Sequence, residues 1–522
     1  MTWVQNVARS QGFVIVTKRS RPSYLGYISK IVFSCDRGGA HNAWTLRVVC
    51  DYHNHKPAMC MEGHSYAMRL SNDESHLVRQ LTRLNVKPRN ILSTLKERNK
   101  DNVSSLKTIY HAHYKFRMSE QEGRTPVQNV MHILQTKGYD FEYCLNDITN
   151  QLEELFFIHP TSLKMWQAFP HVVFMDATYK TNKYNLPFLE IVGVTSTNKT
   201  FSIAFAFMHK EKATNYTWAL TCLKMTINGS FCPRVIITDR DLALMKACKE
   251  VFPQSNHLLC RWHISNDIMK HCRPRIRSQK TWDSFQAKWK ILAESPTHAA
   301  YMQNYADLQT LLFKHQDVLR YLHSTWLDKY SDIFVSLWTD RHINFGNSTT
   351  NRVESQHAKL KKHLASRKCD LDKFVEVIEK VVNSQDTAIK ESLERCKIFR
   401  KPKFNKPLFQ QLQSFVSEYA MDKILEELHR SKGVVLNPEN CSCQLRTCFG
   451  LPCAHELGIH LGAGMPIPLD SVDVFWKKLD LLPSVSVEYG DLNCDHDMQR
   501  FKEIFYNQQD HGKSSFLRKL RG

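Results

Sequence analysis

No stretch of about 18 or more apolar residues occurs in the sequence, which excludes a hydrophobic membrane-spanning helix. The opening segment, MTWVQNVARS, lacks the apolar run of a secretory signal, so none is expected there. There is no internal repeat and no low-complexity tract. No HExxH motif is present, which argues against a zinc hydrolase of that type. Acidic charge is also in deficit. Asp and Glu total 51 against 71 Lys and Arg, giving a net +20 spread along the chain. A basic globular chain of this kind suits a polyanion, with nucleic acid the leading candidate, because binding releases condensed counterions. The alternative is a ribosome-associated or merely basic protein. With no secretory signal, the 16 cysteines are expected in a reducing compartment. Cysteine near histidine there points to zinc or to core packing before disulfides. Hydrophobic residues make up 42% of the 522 positions, enough for real cores. At roughly 100–200 residues per domain, about three to five modules are expected.

Residues 1–66 hold a Cys/His-containing segment, and 72–160 look helical and basic. Leu77, Leu81 and Leu84 share a helical face, VKP interrupts it, and Ile91, Leu92 and Leu95 begin another. These short helices form either a helix-turn-helix-like unit or a plain connector. Residues 126–160 complete this stretch as a helical lead-in. The pattern then changes. HVVFMDA, PFLEIVGVT and TFSIAFAFMH are β-rich runs, followed by a helix near 214–226, the strand PRVIITD, the helix DLALMKACKEVF, the strand HLLC and a further helix. That order predicts an α/β core with a mixed sheet over 165–375, with a Trp-, Tyr- and Phe-rich helical insertion over about 265–345. A helical linker over 376–432, a Cys/His cluster over 435–475 and a tail over 476–522 complete the chain.

Asp176 and Asp239 each end an apolar strand, at the mouth of the sheet where ligands collect in α/β folds. Inside the run an unpaired charge would be costly. Two such carboxylates can converge on Mg²⁺ or Mn²⁺, which take hard oxygen ligands. Taken singly, Asp176 is also compatible with a turn. Asp241 rather than Asp239 is expected to cap the following helix. Glu354 has a structural alternative too, because Asn351 and Glu354 fit a capping box. Cys260 and His263 make a lone Cys-x2-His, too few ligands for closed zinc. Either they are a buried Cys beside a satisfied His, or His263 reaches a phosphodiester. Near the C-terminus, Cys441, Cys443, Cys453 and His455 form C-x-C-x9-C-x-H. Two tight ligand pairs suit a closed tetrahedral Zn²⁺ site, with Cys448 left as a spare thiol.

Three runs in order, MDATYKTNKYNLPFLEIVGV, ITDRDLALMKACKEVFPQSNHLLCRWHI and TTNRVESQHAKLK, resemble the Mutator-like element transposases and their domesticated plant relatives, the far-red-impaired-response proteins. The resemblance spans roughly residues 1–475. It implies an RNase H-like catalytic core in which Asp176, Asp239 and Glu354 hold catalytic Mg²⁺ or Mn²⁺, with Cys260 and His263 as the family's Cys-x2-His and His263 assisting. It further implies cleavage at transposon ends and attack of the freed 3′-hydroxyl on target double-stranded DNA, by a nuclear protein that pairs ends as a homodimer or larger assembly. A domesticated DNA-binding regulator without transposition is the alternative. The C-terminal cluster resembles a SWIM-type zinc finger. Cys35, Cys50, His53 and His55 resemble the DNA-binding finger of the far-red-impaired-response proteins, which ends in His-x-His. Here Cys50 follows Trp44 where the family's second Cys precedes it, so Cys50 substitutes or the site is degenerate.

Overall fold

The computed structural model describes residues 59–483 except 85, 147, 228–231, 365–368 and 432–442. It also describes residues 6, 8 and 9 and the antiparallel pair β1 (Ile15–Pro22) and β2 (Ile28–Cys35). Two compact units result, Met1–Thr125 and Pro126–Gly522. Cys50, His53 and His55 lie outside the described residues, as does the side chain of Cys35.

The first unit contains α1 (Asn72–Arg83), α2 (Pro88–Arg98) and α3 (Leu106–Gln121). Local chemistry sets their starts. Ser71 and Glu74 make a reciprocal capping box, Pro88 takes the first position of α2, and Ser105 caps α3. Their apolar faces meet on Val78, Ile91, Leu95 and Ile109, so the three helices share a core of their own. Ser71→Ala should lower the stability of this unit by about 1 kcal/mol, read as a shift in its urea midpoint.

The second unit opens with α4 (Pro126–Thr136) and then differs from the expected helical lead-in. β3 (Asp140–Leu145) and β4 (Leu152–Ile158) form an antiparallel hairpin that extends the sheet. Short apolar runs such as LEELFFI do not distinguish helix from strand by periodicity. Pairing with the next strands decides the matter. The segment 72–160 is therefore not helical throughout. After α5 (Pro160–Ala168) come β5 (Val172–Thr178), β6 (Phe188–Val194), β7 (Thr200–Phe207), α6 (Ala213–Met225), β8 (Val235–Thr238), α7 (Leu242–Val251) and β9 (Asn256–Leu259). The seven-stranded sheet has the order β3-β4-β7-β6-β5-β8-β9. β5, β6 and β7 are antiparallel neighbours, whereas β8 and β9 run parallel to β5. This five-strand arrangement, with its crossover helices, is the RNase H-like α/β fold anticipated above.

α8 (Arg261–Cys272) leads into α9 (Gln279–Ala293), α10 (His298–Leu311), α11 (Gln316–Leu322), α12 (Asp328–Phe334) and α13 (Ser336–Thr339). These helices own a separate aromatic core that includes Trp282, Phe285, Trp289, Trp326 and Phe334. Half-buried Arg261 ties the two ends of this region together. Its Nε donates to the Phe334 carbonyl at 2.6 Å and its guanidinium to Ser336 Oγ at 3.0 Å.

α14 (Asn351–His363) returns the chain to the sheet, and α15 (Leu371–Ile398) packs on it for 28 residues. Val375, Ile378, Val382, Ile389 and Leu393 belong to the same core as the strands. The expected linker over 376–432 thus opens with a core helix, and even a charge of that helix is buried, where Asp372 accepts from Asn129 at 3.1 Å. α16 (Glu418–Ser431), α17 (Gln444–Thr447), α18 (Ala454–Gly462) and α19 (Val474–Lys477) follow. Phe475, Trp476 and Leu479 are buried in the main core, so the body of the unit runs past the boundary expected at 475.

Candidate active site

β5 and β8 bring the two aspartates together. Their parallel register pairs Val172 with Val235, Val173 with Ile236 and Phe174 with Ile237. Two places further on, Asp176 stands abreast of Asp239, on strands spaced about 4.8 Å apart. Asp239 directly follows β8, whereas Asp176, expected to end its strand, lies within β5, which pairs with β6 as far as Thr178. Burial, and after it the nearby Asp176, raise the Asp239 carboxyl to about 6. Asp239 accepts the Asp241 N–H at 3.2 Å, while Asp241 caps α7 through the N–H groups of Ala243 and Leu244. Glu211 shares the excess of negative charge. Burial, then Asp241, Asp239 and Asp176, lift it to about 7.

Glu354 enters from α14. The helix begins one residue earlier than a capping box on Asn351 requires, with Thr350 at the cap and no side-chain capping bond. The Glu354 carboxylate is turned elsewhere. It accepts the Thr350 hydroxyl at 3.2 Å and lies 3.5 Å from His263 Nε2. His263 Nδ1 is 3.2 Å from the same hydroxyl, and the Thr350 N–H donates to Cys260 Sγ at 3.1 Å. Burial opposes charge on both Cys260 and His263, and their mutual hydrogen bond overrides it. The thiol is held below its ordinary range and the imidazole raised to about 9, with Asp176 and Asp239 adding to the latter. His263 therefore senses both aspartates while touching Glu354. Among the described residues, ligand atoms of Cys260, His263 and Glu354 gather within 4.8 Å of one another, and the three carboxylates do not form such a group.

Two residues at this site went unnoticed in the sequence. Glu190 pairs directly across β5–β6 with Asp176. It is 2% exposed, accepts from Ser202 Oγ at 2.8 Å, and burial pushes its carboxyl upward. Its signal was available, as the single charge in the apolar strand FLEIVGV. His357, one turn beyond Glu354, lies 3.4 Å from Asp176 and 3.5 Å from Glu190. Nothing in the sequence marks it out from the other histidines.

Beside α8 opens a cavity of about 350 Å³, walled by Trp262, Trp282, Phe285 and Trp289 and edged by Lys290 and Asn351. Further along the chain, His455 Nδ1 lies 3.4 Å from Cys443 Sγ and 3.8 Å from Cys453 Sγ. Cys441 falls outside the described residues. Cys448 points away from this cluster and donates to Asn344 Oδ1 at 2.8 Å.

Residues 172–267 match the family model of the MULE transposase domain. FAR1-RELATED SEQUENCE 5 of Arabidopsis thaliana is 22% identical over 466 residues, covering 80% of this chain and 57% of that protein. FAR-RED IMPAIRED RESPONSE 1 of the same plant is 25% identical over 231 residues, 43% of this chain and 26% of that protein. A PKS-NRPS hybrid synthetase, cheA, of Chaetomium globosum is 22% identical over 93% of this chain but only 12% of its own length. The chain thus spans little more than half of these relatives at most. Among solved structures, the HTLV-2 integrase catalytic core with magnesium is similar at 15% identity. It covers 35% of this chain and 94% of that one, with a TM-score of 0.13. The Mos1 transposase paired-end complex is similar at 10% identity, covering 46% and 96%, with a TM-score of 0.15. Asp176, Asp239, Cys260 and His263 all lie inside the segment, residues 172–267, that matches the MULE transposase domain.

Proposed function

We propose that this chain is a nuclear polynucleotidyl transferase of the DDE type, which cleaves double-stranded DNA at the ends of a Mutator-like element and joins them to a target. The observation that carries this reading is the β5–β8 register, which sets Asp176 abreast of Asp239 at the mouth of the sheet. Two carboxylates held close, one of them resisting ionisation, form a donor set deficient in positive charge. Such a pair fits a hard divalent cation, Mg²⁺ or Mn²⁺. Asp176 and Asp239 would hold it, with Glu354 as the third ligand. When bound, the cation supplies Lewis acidity at the scissile phosphate and lowers the pKa of a water.

The chain's own groups set up the rest. His263, protonated at neutral pH, stands beside the acidic pair and can donate a hydrogen bond to a phosphate oxygen. His357, set between Asp176 and Glu190, braces Asp176 from the buried side and orients its carboxylate. The aromatic cavity beside α8 suits an unstacked base near a strand end, with Lys290 at its rim for the backbone. The net +20 supports binding to DNA. Cys443, Cys453 and His455, with Cys441, would hold structural Zn²⁺ in a SWIM-type finger.

Nicking of supercoiled plasmid in Mn²⁺ tests the enzyme reading. Wild type should nick, and Glu354→Gln should lose about a hundredfold or more in rate, as removal of a group stabilising developing charge does. DNA retention by wild type without any nicking would refute the transferase and leave the second reading. That reading is a domesticated DNA-binding regulator, and the likeness to the FAR1-related proteins favours it.

A further inference from the structure

The lone Cys-x2-His of the sequence acquires a third ligand in the fold. Cys260 begins α8, His263 sits one turn along it, and Glu354 arrives from α14, some ninety positions later in the chain. One ligand atom from each lies within 4.8 Å of the other two. The Glu354 carboxylate is 3.5 Å from His263 Nε2, and Thr350 fixes the group by bonding to all three. Thiolate, imidazole and carboxylate are the ligand types of zinc sites that keep one position open. A thiolate selects a soft or borderline ion, whereas Asp176 and Asp239 select a hard one.

We propose that Cys260, His263 and Glu354 form a second metal site, selective for Zn²⁺, that competes with the Asp176–Asp239 site for Glu354. A zinc ion there would withdraw Glu354 from the hard cation and hold the enzyme inactive. The competition rests on the transferase reading given above, whereas the zinc site stands on the geometry alone. Three features make the site coherent. Cys260 is fully buried, so its sulfur is shielded from bulk solvent. His263 and Glu354 are partly exposed and leave an entry path. Thr350 holds the ligands in place without itself being one.

The test uses the whole chain, first stripped of metal and then titrated with Zn²⁺ or Co²⁺. Wild type should bind about one equivalent of zinc more than Cys260→Ser. It should also show a cobalt–thiolate charge-transfer band that Cys260→Ser reduces and Glu354→Gln weakens about tenfold in affinity. Cys443→Ser, which affects the C-terminal cluster, should remove a different part of the band. His263→Asn serves as a second variant should Cys260→Ser fold poorly. Equal zinc content and an unchanged band in both Cys260→Ser and His263→Asn would overturn the site. Zinc inhibition of Mg²⁺-dependent nicking should weaken at least tenfold in Cys260→Ser, and equal inhibition of both proteins would overturn the competition. If wild type nicks nothing at all, the transferase reading falls, and the cobalt band still decides whether the site exists.

Discussion

Replacing Asp239 by Asn should abolish metal-dependent DNA nicking and, in the same protein, raise its resistance to unfolding in magnesium-free buffer. The two effects have one origin. Asp239 sits beside Asp176 with its carboxyl raised to about 6, against an ordinary value of 3.8. For an acid raised in the folded state, the penalty of ionisation is fully present above the folded value and absent below the unfolded one. That difference corresponds to about 3 kcal/mol at most. The wild-type protein without magnesium should therefore gain stability as pH falls from about 7 towards 4, through this group. Asp239→Asn should carry that gain already at neutral pH and lose the pH dependence. Asn can still accept the Asp241 N–H through its amide oxygen, so the turn into α7 survives. The activity change runs the other way. Under the proposed function, loss of a carboxylate that would hold the catalytic cation should lower the rate by about a thousandfold. Thermal melting and plasmid nicking on the same preparation check both. Falling stability together with falling activity would show that Asp239 is structural.

Gly346→Ala should destabilise the second unit by about 3 kcal/mol, although the added atom is a single methyl. Gly346 has φ of +78°, in the region that a side chain occupies only at a cost. Its new Cβ would also lie 2.2 Å from the Phe449 ring. The Phe449 backbone is anchored where its carbonyl accepts the Trp476 indole N–H at 2.6 Å, and its ring packs against the core. The loop around Gly346 is held from the same side. Asn344 and Phe345 donate their N–H groups to the Cys448 carbonyl at 3.1 and 2.9 Å, and Phe345 stacks on Phe475 at 3.9 Å. A comparison isolates the clash. Gly464 has φ of +64° with nothing near its Cβ position, so Gly464→Ala should cost about 1 kcal/mol, from backbone strain alone. Urea midpoints for the two variants should differ by the overpacking term, and equal midpoints would show that Phe449 yields freely. Because the loop leads directly to Thr350 and Glu354, Gly346→Ala should also slow nicking.

The two aspartates were legible because each closes an apolar run, although β5 continues two residues past Asp176. The order of strands and helices from 171 to 272 was legible for a related reason, since each run there is long and bounded by polar turns. Glu354 was different. Local chemistry offered a capping role, and only the resemblance of TTNRVESQHAKLK to a transposase motif suggested another. The structure shows why. The helix starts at Asn351 with Thr350 as its cap, and the carboxylate bonds to a hydroxyl and an imidazole brought in from α8. Glu190 and His357 were missed because their importance lies in cross-strand register and in a helix laid over the sheet, both tertiary facts. The β3–β4 hairpin was missed because its strands join the sheet at an edge and carry charges that resemble a helix surface. The long helix over 371–398 resembled a linker for the same reason, its buried face being hidden among lysines and glutamates.

The packing of the C-terminal region bears on where the chain can be shortened. Leu445, Leu457, Phe475, Trp476 and Leu479 share one core with the central sheet, and Cys448 supports the loop that precedes Glu354. A truncated copy ending soon after the Glu354 helix would encode every acidic residue of the site and still be unable to hold them. A chain cut short of about residue 480 should therefore lose the cooperative unfolding of the second unit, read in a urea titration.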